Sequence, residues 1–228
     1  MATLYAERIK KVQPYGPYTL CGYCVGALIG LETAYILEQS GKQIESFYGI
    51  ATMANDIACQ LPSIDDSKEK ETVITYLGDT ERVRDILKDS TNENVWNIAY
   101  ENLDAFDIDL PEFRERMFRL MQPVDIRRGI PNFDNCGAKE ILRFVNIMRS
   151  MNNLSTTYRD HRIIHAPIYL FSADKDTMVP DIELNAKCWQ SHTTADFENI
   201  IYDGDHFNMF ESENNDDFCE KFEECLKK

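Results

Sequence analysis

The chain has 228 residues and a mass of 26.4 kDa, a size that buries roughly 70% of the unfolded surface and supports a core of its own. A composition of 43% hydrophobic, 11% aromatic and 28% charged residues, with 10 Gly and 8 Pro, excludes disordered, collagen-like and low-complexity architectures. With 24 Lys and Arg against 39 Asp and Glu the net charge is −15, a field that repels phosphate backbones and anionic headgroups and argues against nucleic acid or membrane partners.

Residues 2–12 place apolar groups at helical spacing, and Pro14-Tyr15-Gly16-Pro17 ends that helix with turn formers. Tyr18-Thr19-Leu20-Cys21 reads as a short strand running into Gly22-Tyr23-Cys24-Val25-Gly26. Residues 27–39 read as a helix that is apolar nearly all round, stopped by Ser40-Gly41. Residues 44–50 (IESFYGI) form a second buried strand, so 18–50 is a strand–turn–helix–strand unit of the parallel-sheet kind. Residues 54–162 change character, with amphipathic helical stretches near 67–77, 79–89, 93–103, 111–121 and 137–151 and no strand, and read as a helical insertion within one domain whose core is 1–53 and 163–228. Strand signal resumes at 166–172, followed by a helix near 180–192, a strand at 197–202 and an acidic last helix near 214–226. The expected class is α/β with a parallel sheet.

No apolar run approaches the roughly 20 residues of a membrane span, and MATLYAERIKKVQ has no signal-peptide core, so a cytoplasmic protein is expected. Seven cysteines at 21, 24, 59, 136, 188, 219 and 225 show no repeated spacing and read as free thiols. Cys21-Gly22-Tyr23-Cys24 is also a C-x-x-C, the spacing of a redox pair or half a zinc site. A zinc site needs a second ligand pair at similar spacing, which Cys219 and Cys225 do not provide, and Gly26 with the distant His206 fits a strand-to-helix turn bearing a nucleophile better than a redox motif.

The segment Gly22-Tyr23-Cys24-Val25-Gly26 carries the chemistry. A glycine-flanked nucleophile between a strand and a helix is a nucleophile elbow, a turn tight enough to call for glycine on both sides. The helix N-terminus favours thiolate at Cys24, and the Val25 N–H faces a developing oxyanion. Two further residues follow in the order nucleophile, acid, base: Asp176, between a strand and a helix, and His206 in Gly204-Asp205-His206-Phe207, just after the next strand. The pattern reads as Cys24 nucleophile, His206 general base and Asp176 its orienting partner, with Asp174 the alternative acid. The other histidines, His161, His165 and His192, fit surface or capping positions. Aromatic residues of the insertion, Tyr76, Trp96, Tyr100, Phe106, Phe113 and Phe118, fit helix core packing or an acyl channel.

Residues 16–27 running into Leu31-Glu32-Thr33-Ala34, with Ala166-Pro167-Ile168, Trp189 and Gly204-Asp205-His206-Phe207, resemble the α/β-hydrolase thioesterase domains that terminate nonribosomal peptide and polyketide synthetases. The resemblance implies an α/β-hydrolase fold with the insertion as a helical lid. It also implies thioesterase activity that takes an acyl or peptidyl chain from the phosphopantetheine thioester of a carrier domain, through an acyl-cysteine, by hydrolysis or cyclisation. No cofactor of its own is implied, because the phosphopantetheine belongs to the carrier. A catalytically silent acyl-binding module and a general carboxylester hydrolase remain as alternatives.

Three departures stand out. The elbow carries Cys24 where most relatives have serine. The site after the second strand, where many relatives place the triad acid, reads Ile50-Ala51-Thr52-Met53 with no carboxylate until Asp56, which points to Asp176. Only 23 residues precede Cys24, whereas relatives have several strands there and draw a second oxyanion N–H from a loop among them. The chain reads either as a segment of a longer synthetase, with the carrier domain in the same polypeptide, or as a natural variant whose missing layer is supplied otherwise. Covalent linkage also removes the need for electrostatic steering between two acidic partners. An open edge at the first strand further suggests pairing with a second copy.

Overall fold

The computed structural model describes residues 1–60, 65–121, 130, 132–158, 162–179, 181–207 and 216–227. They divide into two compact units, Met1–Pro62 with Leu154–Lys228, and Ser63–Asn153.

The first unit is an α/β layer structure. Its sheet has four strands in the order β1 (Tyr18–Tyr23), β2 (Ile44–Ile50), β3 (Ile168–Ala173) and β4 (Phe197–Tyr202), all parallel. Parallel pairing needs crossovers: α2 (Val25–Gln39) links β1 to β2, and α9 (Ile182–Gln190) links β3 to β4. Alternating side chains fill two cores. Phe47 of β2 and Leu170 of β3 pack with Ala27, Leu31, Ala34 and Leu37 of α2 and with Trp189 of α9. Tyr48 of β2, Phe171 of β3 and Tyr202 of β4 pack with Phe218 and Cys225 of α10 (Asp216–Cys225) on the other face. Helices on both faces explain why the inner strands read as continuous apolar runs.

Helix α1 (Ala2–Val12) matches the expected span and buries Ala2 and Ala6. Helix α2 ends in a Schellman motif: the Lys42 N–H donates to the Leu37 carbonyl at 3.0 Å, the Gly41 N–H donates to that of Glu38 at 2.9 Å, and Gly41 takes φ +74°. Strand β3 starts two residues later than the apolar pattern suggests, because Ala166-Pro167 only leads into it. A one-turn helix α3 (Asn55–Ala58) escaped the periodicity, being too short to show one.

The second unit is helical. It contains α4 (Glu69–Leu77), α5 (Glu81–Ile86), α6 (Val95–Glu101), α7 (Leu110–Leu120) and the greater part of α8 (Ala138–Thr157). Its core gathers Val73, Leu87, Val95, Phe113, Met117, Ile141, Leu142 and Val145. Tyr76, Phe106 and Phe113 are buried in that core, with Trp96 and Tyr100 packed against its margin, so these aromatics do serve the helical core. Thr80 and Asp109 cap α5 and α7 by accepting the N–H of Val83 and Glu112. Helices α5 and α6 are shorter than their periodic stretches because those stretches end in turns, the second continuing as a 3-10 turn at Leu103–Phe106.

Candidate active site

All four strands run the same way, so the segments leaving their C-terminal ends gather along one side of the sheet. These are Cys24 after β1, Ala51–Met53 after β2, Asp174–Asp176 after β3 and Asp203–His206 after β4.

Cys24 is the N-cap of α2 and adopts φ 52°, ψ −131°. A positive φ in a non-glycine residue is strained and persists only where its surroundings hold it. Here the Cys24 N–H donates to the Ile50 carbonyl at 2.9 Å, and the Cys24 carbonyl accepts from the Ala27 N–H at 3.0 Å. Gly22 is sterically obligatory: a Cβ there would lie 2.4 Å from Ala27 Cα and 2.6 Å from Ala27 N. Gly26 is different. A Cβ there meets nothing within 4 Å, so the expectation of two required glycines holds only for the first. Gly22 lies where strand and helix backbones converge, whereas Gly26 is already within the helix and faces open space. Val25 opens α2, where the first N–H groups have no intrahelical carbonyl to serve.

His206 and Asp176 meet. The ring Nδ1–H donates to Asp176 Oδ2 at 3.1 Å, and the Asp176 Oδ1 accepts the Met178 N–H at 2.8 Å, which fixes the carboxylate. Cys24 is the second side chain near enough to raise the basicity of the imidazole. Burial disfavours the imidazolium, but the hydrogen bonds and negative charges of Asp176 and Cys24 outweigh it and push His206 up to about 9. Tyr202, buried beside this cluster, is raised first by burial and then by Asp176, Tyr23, Asp205 and Asp174.

The other carboxylates lie elsewhere. Asp174 accepts the Gly204 N–H at 2.9 Å and so joins the ends of β3 and β4. Asp56 lies on α3, where its charge acts on Cys188. Ala51, in the carboxylate-free segment after β2, has φ 44° and donates its N–H to the Phe171 carbonyl at 2.9 Å.

Among the other histidines, His192 is buried, against expectation. Its Nδ1 pairs with the Arg162 carbonyl at 2.8 Å and its ring stands edge-on to Trp189. His165 is exposed and pairs with Thr194; His161 lies outside the described residues. No cluster of three or more metal-ligating side chains occurs among the described residues. No helix among them is long and apolar enough to cross a membrane. Sequence reasoning missed Tyr23: its hydroxyl donates to the His206 carbonyl at 2.6 Å, a contact across 183 residues that only its place in the elbow could have hinted at.

Comparison with known proteins agrees with this architecture. Over 51 residues, 22% of the chain, it is 49% identical to an indigoidine synthase of Streptomyces lavendulae. Over 65 residues, 28% of the chain, it is 38% identical to an atromentin synthetase of Tapinella panuoides. The chain spans only 4% and 7% of these two relatives' lengths. Among solved structures, the NocB thioesterase domain in covalent complex with a fluorophosphonate nocardicin G analog superposes with a TM-score of 0.60 at 15% identity, over 99% of this chain and 73% of that one. The thioesterase domain SrfTE, which cyclises the lipopeptide antibiotic surfactin, gives 0.57 at 16% identity, over 100% and 75%. These likenesses assign the α/β-hydrolase fold. The model of the thioesterase domain family matches residues 1–226, and the chain belongs to that family.

Proposed function

We propose that this domain releases an acyl or peptidyl chain from the phosphopantetheine thioester of a carrier domain, through an acyl-enzyme intermediate on Cys24. The observation that carries the proposal is the elbow cysteine, held at positive φ on a helix N-terminus and close enough to act on the imidazole of a histidine that Asp176 orients.

In the first half-reaction the Cys24 sulfur attacks the thioester carbonyl carbon. A C–S bond forms, and the Val25 N–H stabilises the oxyanion. Collapse breaks the bond to the pantetheine sulfur, which takes the proton held by His206. An imidazole with a pKa of about 9 holds that proton at neutral pH. Acylation removes Cys24 as one of the partners that support the imidazolium, so the ring becomes a better base for the second half-reaction. There His206 accepts a proton from water or from an internal amine or hydroxyl as it attacks the acyl carbon. Cys24 leaves, giving free acid or ring. A thioester intermediate stays more activated than an oxoester, which suits transfer to an internal nucleophile.

The carrier belongs to the proposal because the matched relatives are synthetases of which this chain covers a few per cent. One solved neighbour is a four-domain nonribosomal peptide synthetase bound to AMP and glycine, with a TM-score of 0.59 at 18% identity over 15% of its length. The arm is the carrier's, and the chemistry asks for no cofactor bound by this chain. The test is intact-protein mass spectrometry after incubation with acyl-pantetheine thioesters. An acyl adduct is expected on the parent chain and not on Cys24→Ala. If thioester turns over equally in both, the cysteine assignment is lost. If Cys24 alkylates but never acylates, a silent acyl-binding module replaces the enzyme.

A further inference from the structure

Strand β4 lies three strand positions from β1, about 14 Å at ordinary parallel spacing. His206 emerges beyond β4, yet its ring must serve a nucleophile at the end of β1. Asp176 holds the ring through Nδ1, which leaves the backbone of His206 to be fixed by something else. That contact comes from the elbow: the Tyr23 hydroxyl donates to the His206 carbonyl at 2.6 Å, and the two ring centroids lie 5.2 Å apart. Tyr23 is covalently next to Cys24, whose own N–H is tied to β2.

We propose that Tyr23 is a positioning residue, which joins the nucleophile's own strand to the main chain of the base and so sets the separation of Cys24 and His206. The inference rests on the nucleophile and base roles given above. Asp176 constrains one end of the histidine and Tyr23 the other, so the ring is left little freedom to swing away from the thiol. Among the described residues, the ionisable groups around this junction are Cys24 and Tyr23 from the elbow, Asp174 and Asp176 after β3, and Tyr202 and Asp205 around the end of β4. A histidine freed at its backbone spends less time against Asp176 and Cys24, the two groups that hold its proton.

The experiment compares the parent chain, Tyr23→Phe, the variant with 4-aminophenylalanine at position 23 and His206→Ala. Thioester kinetics are measured, with iodoacetamide alkylation of the Cys24 peptide followed from pH 5 to 10. Tyr23→Phe keeps the ring and loses the donor. It is expected to lower kcat about tenfold with KM within about twofold, and to move the histidine-linked inflection of the alkylation profile to lower pH. The amino analogue, which keeps a donor, is expected to recover both. Tyr23→Phe indistinguishable from the parent overturns the inference, as does a defect that the amino analogue leaves unrepaired. If His206→Ala alkylates with the parent's profile, the pairing of Cys24 with His206 fails, and Tyr23 loses its role with it. A changed His206→Ala profile beside an unchanged Tyr23→Phe profile removes the role of Tyr23 only.

Discussion

His206 Nδ1 lies 3.1 Å from Asp176 Oδ2, and the two side chains are 7% and 1% exposed. A pair so withdrawn from water ties the stability of the fold to its protonation. The folded pKa of His206, about 9, lies above the ordinary histidine value near 6.5. Below about pH 6.5 folded and unfolded chains both hold the proton, and the full contribution is present. As pH rises toward 9 the unfolded chain has released the proton and the folded one has not, so the contribution shrinks, and it is gone above that value. The interval sets an upper bound of roughly 3 kcal/mol. Urea midpoints between pH 6 and 9.5 are expected to fall more steeply for the parent than for His206→Gln; parallel curves would show that the pair adds nothing to the folded state.

The two aspartates after β3 separate by what they touch. Asp176→Asn leaves the ring without a charged partner, and a loss of roughly 100-fold or more in thioester turnover is expected, with little change in KM. Asp174→Ala removes the acceptor for the Gly204 N–H and is expected to cost about 1 kcal/mol of stability, with turnover within a few-fold of the parent. Steady-state kinetics and thermal melts on both variants check this, and a reversal of the two patterns would exchange their roles.

Gly22 and Gly26 predict opposite outcomes from the same substitution. Gly22→Ala drives a methyl into the backbone of Ala27 and is expected to destabilise by about 3 kcal/mol or prevent folding. Gly26→Ala adds a methyl to a helix in open space, where the better propensity of alanine stabilises by about 0.5–1 kcal/mol. Denaturation midpoints for the pair decide the matter. A destabilised Gly26→Ala would mean that the elbow is tighter than its geometry indicates.

Strand β1 pairs with β2 on one side only among the described residues. The N–H groups of Tyr18 and Cys24 point to β2, where they bond the carbonyls of Gln43 and Ile50, so strand alternation turns those of Thr19 and Cys21 to the open edge. Pairing of this edge with a second copy is the proposed consequence. Sedimentation velocity is expected to show a concentration-dependent dimer that Thr19→Pro abolishes, since proline there removes a donor β2 does not use. An unchanged dimer in Thr19→Pro places the interface elsewhere, and a parent chain monomeric at high concentration rejects the pairing.

Much of this was legible in the sequence because it is local. The turn at Pro14–Pro17, the elbow at residues 22–26, the Gly41 stop and the apolar strands each rest on neighbours in the chain, and a few residues settle their conformation. The order of Cys24, Asp176 and His206, each beyond a strand, followed from the same local reading, because parallel strands deliver their C-terminal ends to one side. What needed tertiary structure was every choice among chemically equal groups. Asp174 and Asp176 are two residues apart and identical in type. Only the twist of the turn after β3 sends one to Gly204 and the other to His206. Gly22 and Gly26 look alike in the motif, and the approach of the Ala27 backbone tells them apart. The bond from Tyr23 to His206 joins residues at opposite ends of the chain, which only the packing of four strands into one sheet could bring together.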